Sequence, residues 1–183
     1  MDNQRKVIVF IAASLDGFIA RPDGDLSFLE TVAQSNEDYG YNQFIATIDT
    51  VIMGRKTYDK VLSLGIPFPH PDKTCYVLSK TQQEQNKEVK FYSGNTKKLI
   101  GQLKQAPGKN IYVEGGAEVI HDLRSQHLID EYVLSWIPTL LGSGIQLFTD
   151  VNFEEKLTLT SCQTYWSGLV QVRYRPLRHS PFS

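Results

Sequence analysis

Cysteine is scarce in this 183-residue chain: Cys75 and Cys162 have no CxxC pair and no Cys/His partner spacing. That excludes a disulfide framework and a cysteine-based zinc site. Both thiols are expected as free, buried groups on strands in a reducing compartment. Excess charge is lacking too. Lys and Arg number 19 against 20 Asp and Glu, a formal net charge of −1, and the cations form no long run. No nucleic-acid surface and no membrane-surface patch is predicted. No apolar stretch reaches the roughly 18 residues a membrane span needs, and no signal-peptide pattern precedes the first strand, so a cytoplasmic protein is expected. His70, His121, His127 and His179 show no metal-ligand spacing and are read as surface or core-edge residues, with no metal predicted. Trp136 and Trp166 are placed on strands as core or interface aromatics rather than as a base-stacking platform.

What remains is an ordinary globular composition, 41% hydrophobic, in a length that fits one domain burying roughly 70% of its unfolded surface. The domain is placed at residues 1–176, with 177–183 as a flexible tail. Val7 to Ala13 and Val51 to Met53 are continuous apolar runs that read as buried strands. Thr74 to Ser79, Asn110 to Val113 and Glu131 to Ile137 are further strands. A polar helix is expected over Thr96 to Gln105, and another opens at Gly115-Gly116 with Val119, Ile120 and Leu123 on one face. Tyr41, Phe44, Ile45 and Ile48 form a stripe that predicts a helix from Glu37 to Ile48, headed by a Ser35-x-x-Asp38 capping box. Leu15 to Ala20 and Arg21 to Asp25 read as turn and loop. Lys156 to Trp166 and Leu169 to Arg175 alternate around Ser167-Gly168, a hairpin signal. The fold class is therefore α/β: a single domain with a mostly parallel mixed sheet, flanking helices and an antiparallel C-terminal hairpin.

Three strand ends carry chemistry. Val51 to Tyr58 runs from apolar strand through Gly54 into Arg55, Lys56 and Thr57, with Tyr58, Val61 and Leu62 on one face of the helix that follows. That arrangement gathers backbone N–H groups and positive charge where a phosphate can sit, although the same tripeptide serves in plain surface turns. Gly115-Gly116 repeats the pattern at the end of another strand; a tight turn using φ > 0 explains it as well. It is not a GxGxxG fingerprint, because the third glycine is missing. Tyr76 to Lys80 brings a hydroxyl, Ser79, and a further cation. Ligands of α/β sheets bind at such strand ends.

The motifs Ile11 to Ala20, Met53 to Thr57, Val77 to Lys80 and Val113 to Val119 stand in the order found in dihydrofolate reductases, which the chain resembles from Val7 to Pro176. Ser14-Leu15-Asp16-Gly17, Leu140 to Gly144 and Leu147-Phe148 look closer to the C-terminal reductase domain of riboflavin-biosynthesis proteins. The resemblance implies an NADPH-dependent reductase acting on a small heterocyclic or sugar-like substrate, such as 5-amino-6-(5-phosphoribosylamino)uracil or a pterin. By matching positions, Ala12, Ile19 and Ala20 would border the nicotinamide. Gly54, Arg55, Lys56 and Thr57 would hold the phosphates from one side, and Gly115, Gly116, Ala117 and Glu118 from the other. Ser79 and Lys80 would flank the adenosine end. Arg55, Lys56 and Lys80 are the cations that a 2′-phosphate needs, which favours NADPH over NADH.

The catalytic candidates are Asp38, Glu114 and Asp16. The predicted helix turns the Asp38 carboxylate inward with Tyr41, Ile45 and Ile48, and its spacing to Gly54 matches the substrate-binding acid of dihydrofolate reductases; a capping role is the competing explanation. Glu114 faces substrate or pairs with Arg55 or Lys56. Asp16 lies beside the nicotinamide or makes an Asp-Gly turn. Two departures matter. The Pro-Trp pair after the nicotinamide loop of dihydrofolate reductases is replaced by Asp23-Gly24-Asp25-Leu26, and the zinc signature of the deaminase often fused to riboflavin reductases is absent. A non-catalytic nucleotide-binding or assembly module is the rival function. A homodimer is predicted through an edge formed by the hairpin from Lys156 to Arg175 and the Trp136 strand.

Overall fold

The computed structural model describes residues 4–81, 89–149 and 153–177. Among these, one eight-stranded sheet dominates. Its strands are β1 (Val7–Ser14), β3 (Ile48–Gly54), β4 (Thr74–Leu78), β5 (Val89–Tyr92), β6 (Asn110–Gly115), β7 (Glu131–Ile137), β9 (Leu157–Thr164) and β10 (Val170–Pro176). They lie in the order β5-β4-β3-β6-β1-β7-β10-β9. Pairings from β5 to β7 are all parallel, whereas β10 runs antiparallel to both β7 and β9. A two-stranded sheet joins β2 (Phe18–Ala20) to β8 (Ile145–Gln146) in a stretch read from sequence as turn.

Alternation along the central strands sends side chains to two covered faces. Val7, Val9, Ile52, Ile111 and Val113 pack against α3 (Thr96–Gln105) and α4 (Ala117–Ser125) through Ile100, Val119, Ile120 and Leu123. Ile8, Val51, Met53 and Tyr112 face the other way, toward Phe44 of α1 (Tyr41–Ile45) and Tyr58 of α2 (Arg55–Ser63). Leu62, placed on α2's apolar face by the sequence, is instead exposed. Phe28 and Val32 of a short 3-10 helix (Ser27–Val32) close the end of β7 with Ile137 and Leu169.

Further expectations need correction. The helix predicted from Glu37 to Ile48 shrinks to five residues. Asn36, Tyr39 and Gly40 all have positive φ, which an α-helix cannot contain, and Ile48 already belongs to β3. The stripe itself is sound, since Phe44 is buried and Tyr41 and Ile45 pack beside it. In the hairpin, Trp166 lies at the tip of the turn rather than on a strand and is fully exposed; Gly168, at φ 84°, lets the chain reverse. Cys75 is buried as expected, but Cys162 is exposed, because all eight residues of the edge strand β9 are exposed. Leu177 still donates to the Lys156 carbonyl at 2.8 Å; residues 178–183, including His179, lie outside the described residues.

Candidate active site

The glycine-led strand ends predicted to bind phosphate come together. β3 and β6 are parallel neighbours, with Met53 opposite Gly115, so α2 and α4 start side by side at the same edge. Gly54 and Gly116 are the N-caps, and neither helix has a side-chain cap hydrogen bond. A Cβ on Gly54 would stand 3.1 Å from Val119 Cγ2 and 3.8 Å from the Gly116 nitrogen. A Cβ on Gly116 would stand 3.3 Å from Thr57 Oγ1. The two starts are thus packed closely against one another, and a side chain at either glycine would press on its neighbour. The first turns of both helices leave N–H groups without helical partners, with the positive ends of two dipoles beside them. The third helix contrasts with these: Asn95 Oδ1 accepts from the Lys98 N–H at 2.9 Å and caps α3.

The cations at this edge are less free than the sequence suggests. Arg55 Nε is paired with Asp59 at 2.7 and 2.9 Å, and the guanidinium lies over the Phe91 ring at 5.6 Å. Lys56 Nζ reaches across to Glu118 of α4 at 2.7 Å. The Lys56 ammonium, through its hydrogen bond and charge, holds the Glu118 carboxyl below its ordinary range, and Lys80 adds to the effect. Ser79 follows β4, its N–H bonded to the Tyr92 carbonyl and its hydroxyl accepting from the Thr81 N–H at 3.3 Å. Ala12, on β1 opposite Ser135 of β7, and Ile19 on β2 are partly buried, and Ala20, paired with Ile145 of β8, is buried. Ala117 is buried at the start of α4.

The three candidate acids part company. Asp38 lies outside the helix and is exposed. Its two oxygens accept from the Gly40 and Asn42 N–H groups, each at 2.9 Å, and these bonds, Asn42's first, lower its pKa. It orders the entry to α1 and does not point inward; the box with Ser35 does not form, since the Asp38 carboxylate is taken up by the Gly40 and Asn42 N–H groups and the helix starts only at Tyr41. Asp16 accepts from Ser14 Oγ at 2.6 Å and from the Leu141 and Gly142 N–H groups at 3.0 and 2.7 Å. Those bonds, Ser14's foremost, bring its carboxyl down to about 2, and they tie the 141–142 loop to the end of β1.

Glu114 pairs with neither Arg55 nor Lys56. On β6 it shares the Tyr112 face, and its Oε2 lies 3.1 Å from Nε2 of His70, which is buried rather than at the surface or core edge. His70 Nδ1 has no partner, the one such buried side-chain atom among the described residues. Rings of Phe68 and Tyr112 stand edge-on to the imidazole. Burial and the Glu114 charge push the Tyr41 hydroxyl up to about 12 and the Cys75 thiol to about 12, so both stay protonated near neutral pH. Glu114 keeps 18% of its side chain exposed and is the acid that joins this buried group to solvent. The pairing was missed, yet Pro67-Phe68-Pro69-His70-Pro71 carried a signal: prolines enforce extended backbone, which turns Phe68 and His70 to one side.

A cavity of about 520 Å³ lies elsewhere, lined by His127, Ile129, Glu154 and Lys156 at the opposite end of β7. No helix start or glycine pair meets there, and strand C-termini are where parallel sheets present ligands, so the glycine-led edge is the candidate site.

The family model of the RibD C-terminal domain matches residues 68–171. The uncharacterized protein YwjB of Bacillus subtilis is 40% identical over 172 residues, covering 93% of this chain and 98% of its own. YyaP of the same organism is 34% identical over 182 residues, 93% and 95% respectively. A Shewanella sp. PV-4 crystal structure described under riboflavin biosynthesis superposes with a TM-score of 0.88 at 32% identity, covering 94% of this chain and 99% of that one. Dihydrofolate reductase from Enterococcus faecalis, complexed with NADP(H), shares the fold at a TM-score of 0.66 and 16% identity, with coverages of 94% and 97%. The chain belongs to the RibD C-terminal domain family and has the dihydrofolate reductase-like fold of its reductases.

Proposed function

We propose that the protein is a reductase that uses NADPH to reduce a carbonyl or imine carbon of a small heterocyclic or sugar-like substrate. The observation that carries this reading is the contact of two uncapped, glycine-led helix starts, with Thr57 3.3 Å from where a Gly116 Cβ would be. Such a pair of N-termini is built for a bridging pyrophosphate. The N–H groups of residues 55–57 and 116–118, with Lys56, would hold it; Ser79 and Lys80 would take the adenosine end, and Ala12, Ile19 and Ala20 the nicotinamide side. The nicotinamide, when bound, supplies the hydride. Glu114 supplies the accompanying proton, and the buried His70 fixes its carboxyl from behind. Asp38 and Asp16 act in support of this, through the α1 entry and the 141–142 loop.

Titration of the purified chain with NADPH and NADH tests the reading: submicromolar to micromolar NADPH binding is expected, and binding of neither overturns it. Oxidation of bound NADPH by a member of a panel of ribosylaminouracils, pterins and carbonyl compounds is expected in the wild type and lost in E114Q, with binding retained. Binding without oxidation by any of them would support the rival, a nucleotide-binding module. We also propose a homodimer formed through β9, whose exposed Leu157 and Leu159 lie on an unpaired edge. Light scattering at micromolar concentration is expected to give twice the chain mass, and a monomer mass would refute it.

A further inference from the structure

Of the three cations at the glycine-led edge, two already have carboxylate partners. Arg55 is held by Asp59 one turn along α2, and Lys56 by Glu118 on the other helix. With Lys80 counted, three cations against two carboxylates leave the cluster a single net positive charge. The Lys56–Glu118 bridge differs from the Arg55–Asp59 pair in its position. It spans the two helix starts, so its carboxylate stands beside the first-turn N–H groups proposed to hold phosphate. Both side chains are largely exposed, 88% and 77%, so the pair is solvated and opens at little cost. Lys80 acts on the same carboxylate. Glu118 therefore faces the cations that the phosphates need, and nothing in its exposed packing requires a carboxylate for folding.

We propose that Glu118 is an internal counter-ion that sets how strongly this edge distinguishes a 2′-phosphorylated nicotinamide nucleotide from an unphosphorylated one. The inference rests on the nucleotide-binding reading above and adds a specificity device to it. The pyrophosphate that would take Lys56 from Glu118 is common to both nucleotides, whereas a 2′-phosphate at the adenosine end would draw on Lys80, which acts on the same carboxylate, and so would face the displaced Glu118 as well. The penalty grows with the negative charge of the ligand, and a 2′-phosphate adds close to two charges near neutral pH. The wild type thus prefers NADPH by less than three unopposed cations would give.

The test is to measure dissociation constants of NADPH and NADH by calorimetry for the wild type, E118Q and E118D, with melting temperatures to confirm folding. E118Q is expected to tighten NADPH about fivefold at low ionic strength, as removal of one nearby solvated charge should, and NADH by less. The NADPH-to-NADH preference therefore widens, and the gain shrinks in about 0.5 M salt. E118D keeps the charge and is expected to keep the wild-type preference. An unchanged or weakened preference in E118Q, with NADPH still bound by the wild type, overturns the counter-ion alone. Failure of the wild type to bind either nucleotide overturns this inference together with the reading beneath it.

Discussion

α2 and α4 begin as helices usually do not, whereas α3 begins as most do. All three follow strands at the same edge of the sheet. At α3 the Asn95 side chain supplies an acceptor to the first turn, and the helix end is complete within the chain. At α2 and α4 glycine stands in that place, no side chain caps, and the two starts approach until a single Cβ would touch the neighbour. A helix end left open costs stability that a capping residue would restore. The two left open are the two that touch each other, which is the difference on which the proposed nucleotide site rests.

That contrast can be broken most severely by giving α4 what α3 has. Gly116 has φ −74°, so asparagine is tolerated by the backbone, and its side chain would occupy the first-turn N–H groups and press on Thr57. G116N is expected to weaken NADPH binding by at least about tenfold, as loss of charge-assisted N–H bonds should, with the melting temperature little changed; calorimetry and thermal unfolding check this. Gly115 lies at φ 113°, so G115A should cost about 1–3 kcal/mol in stability, read from denaturant unfolding, because L-residues rarely occupy that conformation. In the opposite direction, N95A should cost about 1 kcal/mol of stability and leave nucleotide affinity unchanged, which separates a cap that holds the fold from ends that hold a ligand.

The smallest expected effect concerns the acid that ties the neighbouring loop. Asp16 has its pKa lowered from 3.8 to about 2 in the folded chain, so it contributes stability that is present above about pH 4 and is lost as the pH falls toward 2. D16N should lack that portion of the acid titration of stability. Equal pH profiles for D16N and wild type would show that the Leu141 and Gly142 contacts contribute nothing to it.

Much of the scaffold was legible because buried parallel strands write themselves as apolar runs. β1, β3, β6 and β7 all read that way, and the glycines after β3 and β6 punctuate them. β2 and β8 did not, because a three-residue and a two-residue strand carry no periodicity. The stripe Tyr41, Phe44 and Ile45 was also legible, but its extent was not. Apolar spacing says which side chains pack and is silent about backbone at Asn36, Tyr39 and Gly40, where positive φ ends the helix. Asp38 was misplaced for that reason alone. Once the helix no longer contains it, its carboxylate turns to the nearest free N–H groups.

By itself the sequence determined the α/β class, the family, and the two glycine-led strand ends that meet at one edge, because each depends on local chemistry and order along the chain. Only the tertiary structure decided the partners of the charges. Glu118 finds Lys56 at a separation of 62 residues, and His70 finds Glu114 at 44. Ion pairs and buried hydrogen bonds form between groups that folding brings within a few ångströms, and no spacing along the chain encodes that distance.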